Sequence, residues 1–234
     1  MDSRISSPTR KRAENDISGF GGAIEKMDFN GDGFLDLVIG APLWTTKGSG
    51  SREGIVYIYL NANSSDFSSL KPTFNVTGEN GSRFGAILAN VGDINHDGID
   101  DLAVGAYGQS KVFIYHGTRD TRSELSPVQI LESDSVKNFG FSITAADIDK
   151  NGYSDIVVGS LAGGVKLFRS RPIIDLFANL KTGDKFEKGL NLDNLDKLDK
   201  VNIQFCFGFQ ERSDTLKHSI KVCPRPKVLI LFDA

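Results

Sequence analysis

The segment Asp28–Asp36, which reads DFNGDGFLD, decides how this sequence folds, because two later segments repeat its pattern. Asp93–Asp101 reads DINHDGIDD, and Asp147–Asp155 reads DIDKNGYSD. Counted from the first aspartate, each loop has oxygen-bearing side chains at positions 1, 3, 5 and 9 and glycine at position 6. Three copies in one register indicate an internal repeat, with unequal spacing that reflects insertions between the copies.

Short apolar runs surround each loop and predict strands, because they are β-branched and aromatic and are bounded by Gly, Asn and Ser. In chain order these runs are Ala23–Met27, Leu35–Ile39, Gly54–Leu60 and Pro72–Val76; Ile87–Val91, Leu102–Val104, Lys111–His116 and Val128–Leu131; and Ser142–Ala146, Ile156–Val158 and Gly164–Phe168. A fourth run is not clear in the third repeat. Four short strands per repeat are typical of a β-propeller blade, so the sequence predicts an all-β fold.

The loops are candidate calcium sites, because calcium takes six to eight hard oxygen ligands and a glycine allows the chain to turn sharply around the ion. The alternative is an Asx-rich turn that joins two strands without a metal. An EF-hand does not fit, because position 12 is an apolar strand residue in place of the required glutamate. The candidate ligands are the side chains of Asp28, Asn30, Asp32, Asp36, Asp93, Asn95, Asp97, Asp101, Asp147, Asp149, Asn151 and Asp155, and the backbone carbonyls of Phe34, Ile99 and Tyr153.

The composition of the 234-residue chain argues against several classes of function. The net charge is −3 and no large basic patch is visible, which argues against nucleic acid as a partner. No run of about 18 apolar residues is present, so no membrane-spanning segment is expected, and the first residues lack the apolar core of a signal peptide. The 3 histidines are scattered and form no catalytic constellation, so no enzymatic activity is expected.

The repeats resemble the FG-GAP repeats of integrin α subunits. The Phe-Gly starts are Phe20-Gly21, Phe84-Gly85 and Phe139-Gly140, and the ends are Gly40-Ala41-Pro42, Gly105-Ala106-Tyr107 and Gly159-Ser160-Leu161. The resemblance implies a partial β-propeller of three four-stranded blades at 17–171 and part of an immunoglobulin-like, thigh-like β-sandwich at 172–234. We expect the segment before them, 1–16, to be disordered. The strands of the thigh-like part are expected at Asn202–Phe209 and Lys227–Ala234.

The same resemblance implies a function. It indicates the last three calcium-binding blades of a cell-adhesion receptor, with three Ca²⁺ sites that stiffen the blades. Such a receptor pairs with an integrin β subunit and binds an extracellular-matrix or cell-surface ligand outside the cell. Two alternatives stay open, namely a secreted FG-GAP protein and an enzyme similar to glycosylphosphatidylinositol-specific phospholipase D. The phospholipase class should show a separate zinc-binding domain rich in His and Asp, which this sequence lacks.

The predicted modifications of five further residues require an extracellular location. Sequons begin at Asn63, Asn75 and Asn80 and predict glycosylated surface if the chain is secreted. Cys206 and Cys223 can form a disulfide in an oxidising compartment, and two free or differently paired thiols are the alternative.

Overall fold

The computed structural model describes residues 17–47, 50–61, 70–133 and 135–171, together with the backbone of four strands at 174–182, 201–211, 219–222 and 228–230. The segment 1–16, which the sequence predicts to be disordered, lies outside the described residues. The chain divides into two compact units, Met1–Arg171 and Pro172–Ala234. Within the described part of the chain, no helix has the length and apolar character needed to cross a bilayer.

Three antiparallel sheets follow one another along the first unit. The first contains β1 (Ala23–Met27), β2 (Asp36–Ala41), β3 (Ile55–Tyr59) and β4 (Phe74–Thr77), paired in chain order. The second repeats this meander with β5 (Ile87–Gly92), β6 (Asp101–Ala106), β7 (Lys111–Tyr115) and β8 (Gln129–Glu132). The third contains β9 (Phe139–Ala146), β10 (Asp155–Ser160) and β11 (Val165–Phe168).

The all-β prediction is therefore confirmed, with one difference in strand count. The first two sheets have the four strands expected of a blade, whereas the third has three strands among the described residues. The sequence after β11 gives the physical reason. Arg169-Ser170-Arg171-Pro172 lacks the alternating apolar pattern, and proline cannot donate a ladder hydrogen bond.

The second unit contains β12 (Ile174–Thr182), β13 (Val201–Glu211), β14 (Ser219–Val222) and β15 (Val228–Ile230). These strands form one antiparallel sheet in which β13 pairs with the other three. The strand expected at Asn202–Phe209 is present as β13, and β15 forms part of the strand expected at Lys227–Ala234, whose other residues lie outside the described part of the chain.

The core of the first unit lies between consecutive sheets. Between the first and second sheets, Met27, Val38 and Ile58 pack with Phe84 and Leu102 in one buried cluster. A second cluster joins the middle sheet to the third and contains Val91, Val112, Ile114, Phe139, Ile156 and Val158. All six residues of β6 are buried because neighbouring sheets cover both faces of the middle sheet. That position explains why β6 reads as a continuous apolar run after its first aspartate.

Glycines bring the sheets close together. A Cβ atom at Gly40 would overlap the carbonyl oxygen of Gly85, and one at Gly105 would overlap that of Gly140. The Gly-Ala pair that ends β2 or β6 is thus in backbone contact with the Phe-Gly pair that begins the next repeat. A glycine is required there because any side chain would separate the two sheets.

Candidate metal centres

Each candidate loop connects the first two strands of its sheet and lies at the same end of the sheet. The pairing of Met27 with Asp36 closes the first hairpin directly at the loop. In the second repeat the register shifts between Asn90 and Gly92, so that Val91 is the additional residue before the loop, and the φ of 74° at Gly92 accommodates this bulge. The loop pattern is therefore unchanged by the insertion.

The first aspartate of each loop holds the backbone of the loop in place. Asp28 accepts a hydrogen bond through Oδ1 from the N–H of Asp32 at 3.1 Å and through Oδ2 from the N–H of Gly33 at 2.8 Å. The equivalent bonds link Asp93 to the N–H groups of Asp97 and Gly98, and Asp147 to those of Asn151 and Gly152. The three loops therefore share one conformation as well as one sequence pattern.

Positions 3 and 5 continue this network of Asx turns. In the first loop, Asn30 Oδ1 accepts from the N–H of Asp32, and Asp32 Oδ1 accepts from the N–H of Phe34 at 2.8 Å. The corresponding acceptors in the other loops are Asn95, Asp97, Asp149 and Asn151. Each position is thus occupied by an oxygen ligand of the kind that calcium prefers.

The aspartate at position 9 differs from the others because it is buried. Asp36, Asp101 and Asp155 have relative exposures of 1%, 0% and 0%. In each, one carboxylate oxygen accepts from the N–H of position 2, and the other accepts from an N–H beyond the third strand. A carboxylate has about four lone-pair sites, so two remain after these bonds.

Burial disfavours the ionised form of two of these aspartates. Burial raises the pKa of Asp101 from 3.8 to about 7; the N–H groups of Gly117 and Ile94 oppose this increase, and the charges of Asp97 and Asp93 add to it. Burial likewise raises the pKa of Asp36. A bound cation would relieve this cost because it favours the ionised carboxylate.

The third loop brings its acidic ligands together most clearly. Oxygen atoms of Asp147, Asp149 and Asp155 lie within 4.8 Å of one another, so one cation could contact all three. In the first two loops position 3 is an asparagine whose amide donates to the aspartate at position 5 at 2.8 Å. All three loops offer hard oxygen donors and no sulfur or imidazole ligand, and this donor set fits Ca²⁺.

Comparison with known families agrees with this geometry. A model of the FG-GAP-like repeat matches residues 28–104 and 93–158, so each match includes two consecutive loops. The chain belongs to the FG-GAP-like repeat family. The matched residues include all three loops and most of the three sheets.

The FG-GAP repeats are also similar to parts of curated integrin α chains. The chain is 38% identical to integrin alpha-6 of Gallus gallus over 212 residues, which cover 88% of this chain and 19% of the relative. It is 43% identical to integrin alpha-6 of Homo sapiens over 68% of this chain, and 38% identical to integrin alpha-7 of Mus musculus over 82%. The chain spans 14–19% of the length of these relatives.

Consecutive FG-GAP loops contact each other through positions 4 and 7. The His96 ring lies 4.5 Å from the ring of Tyr153, which is 0% exposed. Ile99 occupies the same position in the second loop and lies beside Gly31 of the first. His96 is half-buried because it packs against the next repeat.

Position 4 has the same backbone conformation in all three loops. Gly31, His96 and Lys150 have φ values of 67°, 53° and 60°. This left-handed conformation is uncommon for residues other than glycine, asparagine and aspartate. The sequence motif gave no signal for this contact, since the three residues share no chemistry.

Among the remaining predicted site residues, two sequon asparagines belong to the described part of the first unit. Asn75 is exposed on the outer strand β4, and Asn80 is exposed after it. Asn80 Oδ1 accepts a hydrogen bond from Ser51 at 2.9 Å. Asn63 and Cys223 lie outside the described residues, and Cys206 lies within β13.

Proposed function

We propose that this chain is the calcium-binding, extracellular part of an integrin α-like adhesion receptor. The observation that carries the proposal is the repetition of one oxygen-rich loop on three consecutive sheets. In every copy the carboxylate at position 1 accepts the same two backbone hydrogen bonds. Asx turns also use such bonds, so what indicates binding loops is that all three copies carry oxygen side chains at the same positions, as calcium coordination requires.

Calcium would be held by the side chains at positions 1, 3, 5 and 9 and by the carbonyl at position 7 of each loop. The ion supplies positive charge among three carboxylates per loop and so removes their mutual repulsion. The buried aspartate at position 9 also joins the loop to the third strand through its backbone hydrogen bonds. The role of the metal is therefore structural, and the proposed function involves no catalysis.

The partner in this proposal is an integrin β subunit, and the receptor binds an extracellular-matrix or cell-surface ligand. Similarity to integrin α chains over most of this sequence supports the pairing. Co-expression of the full chain with a tagged integrin β extracellular region tests it. Copurification in calcium at one-to-one stoichiometry is expected, and failure to copurify with any β subunit tried would contradict the pairing.

Calcium titration by calorimetry tests the metal sites directly. The calcium-depleted chain should bind about three ions with Kd values of roughly 10⁻⁴–10⁻³ M, as in other extracellular modules. Asp97→Ala should remove one ion and leave the first and third loops unchanged. Asp120→Ala is the matched control because Asp120 is exposed and lies outside the loops. If no calcium is taken up by folded protein at millimolar concentration, the loops are only turns.

An extracellular location also implies glycosylation. Exposure of Asn75 and Asn80 supports their modification, and Asn63 is proposed on its sequon alone. Protein secreted from animal cells should lose mass when treated with a glycan-removing enzyme. Asn75→Gln should reduce that loss by one glycan. An unchanged mass for the secreted wild-type protein would argue against this placement.

A further inference from the structure

The sequence contains three Asn-Gly pairs, and the fold places them in different surroundings. They are Asn30-Gly31, Asn80-Gly81 and Asn151-Gly152. An asparagine before glycine can lose its side-chain amide without an enzyme, because the next backbone nitrogen attacks the side-chain carbonyl and glycine has no Cβ atom to hinder it. The attack requires a side chain that is free to turn, a backbone that can rotate towards it, and access to water. These requirements distinguish the three pairs.

The pair Asn80-Gly81 forms the centre of a tight turn between β4 and β5. The N–H of Ser82 donates to the carbonyl of Glu79 at 3.0 Å, and the φ of 73° at Gly81 fits the third residue of a type II turn. Both residues of the pair are exposed, and a Cβ atom at Gly81 would meet no described atom within 4 Å. Water and a rotating peptide group therefore have space at this turn.

The peptide group that joins Asn80 to Gly81 is held weakly. Among the described residues, the N–H of Gly81 has no hydrogen-bond partner, and the carbonyl of Asn80 accepts only from Gln109 Nε2 at 3.5 Å. Within the same part of the chain, the side chain of Asn80 has one hydrogen bond, from Ser51 Oγ to Oδ1 at 2.9 Å. Rotating the peptide group towards the side chain therefore breaks no short hydrogen bond of the group itself.

The asparagine of the first loop is held at both ends of its amide. Asn30 Oδ1 accepts from the N–H of Asp32 at 3.1 Å, and Asn30 Nδ2 donates to Asp32 Oδ2 at 2.8 Å. These two bonds fix the amide against Asp32 and keep its carbonyl carbon from turning towards Gly31. The pair is also less exposed than Asn80-Gly81.

The pair in the third loop is protected at the attacking nitrogen. Gly152 donates its N–H to Asp147 Oδ2 at 2.9 Å. Asn151 Oδ1 accepts from the N–H of Tyr153 at 2.8 Å, and Asn151 Nδ2 donates to the carbonyl of Ser170 at 3.3 Å. The attack would break all three bonds, so folding should slow the reaction strongly at this pair.

We propose that Asn80 is a site of spontaneous deamidation in copies of the chain that carry no glycan there, and that the loops protect Asn30 and Asn151. The nitrogen of Gly81 forms a bond to Cγ of Asn80, the bond from Cγ to Nδ2 breaks, and ammonia leaves with the proton that the Gly81 nitrogen gives up. Water then opens the cyclic succinimide at either carbonyl carbon and yields aspartate or isoaspartate. The reaction consumes water and involves no oxidation or reduction.

The sequon at Asn80 makes the two modifications of this residue mutually exclusive. Glycosylation adds the sugar to Nδ2, which is the atom that deamidation removes. Isoaspartate would add a methylene group to the backbone and so lengthen a turn that contacts the second sheet, where Gly108 donates its N–H to the carbonyl of Ser82 at 3.1 Å. Deamidation should therefore weaken the connection between the first two sheets. Neither calcium binding nor a receptor function is needed for this reaction.

The test uses the full chain produced in bacteria, where the sequons stay without glycans. Folded protein is incubated in calcium at mildly alkaline pH and body temperature, and its tryptic peptides are analysed by mass spectrometry. A methyltransferase that labels isoaspartate provides a second readout. We expect Asn80 to react faster than Asn30 and Asn151 by about tenfold or more, a factor that corresponds to the loss of about two ordinary hydrogen bonds.

Protein unfolded in urea is the matched control, because the three pairs there share the Asn-Gly sequence and have lost their folded surroundings. All three should then react at similar rates. In folded protein, Asn80→Gln should reduce isoaspartate labelling to near the level of freshly purified chain. This variant should fold, because the side chain is exposed, and circular dichroism checks that it does.

Three results would overturn the proposal. If Asn80 stays intact in folded protein, whether or not it reacts in urea, the turn is not a deamidation site. If Asn30 or Asn151 reacts as fast as Asn80 in folded protein, the loop hydrogen bonds do not protect these residues. Isoaspartate labelling of folded Asn80→Gln at the wild-type level would place the reaction elsewhere in the chain.

Discussion

Two opposite effects act on the protonation state of the aspartate at position 9. It is buried, which favours the neutral acid, yet both of its oxygens accept backbone hydrogen bonds, which favour the carboxylate. In Asp101 burial prevails, and the pKa is raised from 3.8 to about 7. The residue therefore costs free energy as a carboxylate in the metal-free fold, and a cation would change that balance.

This leads to a pH prediction for the calcium-depleted protein. Since the folded state binds the Asp101 proton more tightly than the unfolded state, this residue should lower the free energy of unfolding as pH rises from about 4 to about 7. Above that window its contribution should be constant. Denaturant unfolding at a series of pH values measures the slope, and Asp101→Asn should make it smaller. An equal slope in the variant would show that another group causes the pH dependence.

The glycines between sheets illustrate how elements constrain single residues. Gly40 and Gly105 do not have positive φ values, so their backbone conformation alone would allow alanine. The close approach of Gly85 and Gly140 excludes the side chain instead. The Gly-Ala and Phe-Gly parts of the motif are therefore the two sides of one contact between neighbouring sheets.

Alanine at Gly40 should consequently be severely destabilising. Its methyl group would overlap a backbone oxygen, and the sheets could accommodate it only by moving apart and losing contacts in the buried cluster. Overpacking of this kind typically costs 1–3 kcal/mol or more. Gly159→Ala is the matched control, with an expected cost well below that of Gly40→Ala. The two variants are compared by urea unfolding in calcium, and equal stability would contradict the proposed role of the contact.

At the scale of the whole molecule, stability depends on packing between sheets and on the loops at one end of them. A single meander of three or four strands buries one face, and among the described residues of the first unit only the middle sheet has both faces covered. The hydrophobic core is thus distributed over two thin layers. Metal binding should therefore contribute a large share of the modest stability that is typical of domains.

Removal of calcium should lower the melting temperature substantially. At 1 mM calcium and a Kd near 10⁻⁴ M, each site adds about 1.4 kcal/mol, so three sites add roughly 4 kcal/mol. For a protein of this size that corresponds to a shift of roughly 8–16 °C. Thermal unfolding with calcium and with excess chelator measures the shift, with magnesium as the control cation. A melting temperature unaffected by chelation would refute a stabilising role for the metal.

The sequence by itself determined the repeat, the strands and the composition of the loops. Residues with oxygen-bearing side chains alternate along the loops that contain Gly33, Gly98 and Gly152. Such a local pattern predicts structure well because loop conformation depends mainly on neighbouring residues. The apolar runs on either side fixed the hairpins in the same way. Strand bounds differed from expectation by only a few residues, as between Pro72–Val76 and the observed Phe74–Thr77.

Only the tertiary structure decided which surfaces meet. The contact of His96 with Tyr153 joins residues that are far apart in sequence, and nothing in either loop indicates it. The burial of Asp101 and its raised pKa likewise depend on chain segments that fold around the loop, such as Gly117, which lies 16 residues away in sequence and donates a backbone hydrogen bond to the carboxylate. Phe34 and Tyr153 share one loop position but differ in exposure because, among the described residues, a preceding loop covers Tyr153 and none covers Phe34. Such differences arise from packing between repeats, which a pattern within one repeat does not contain.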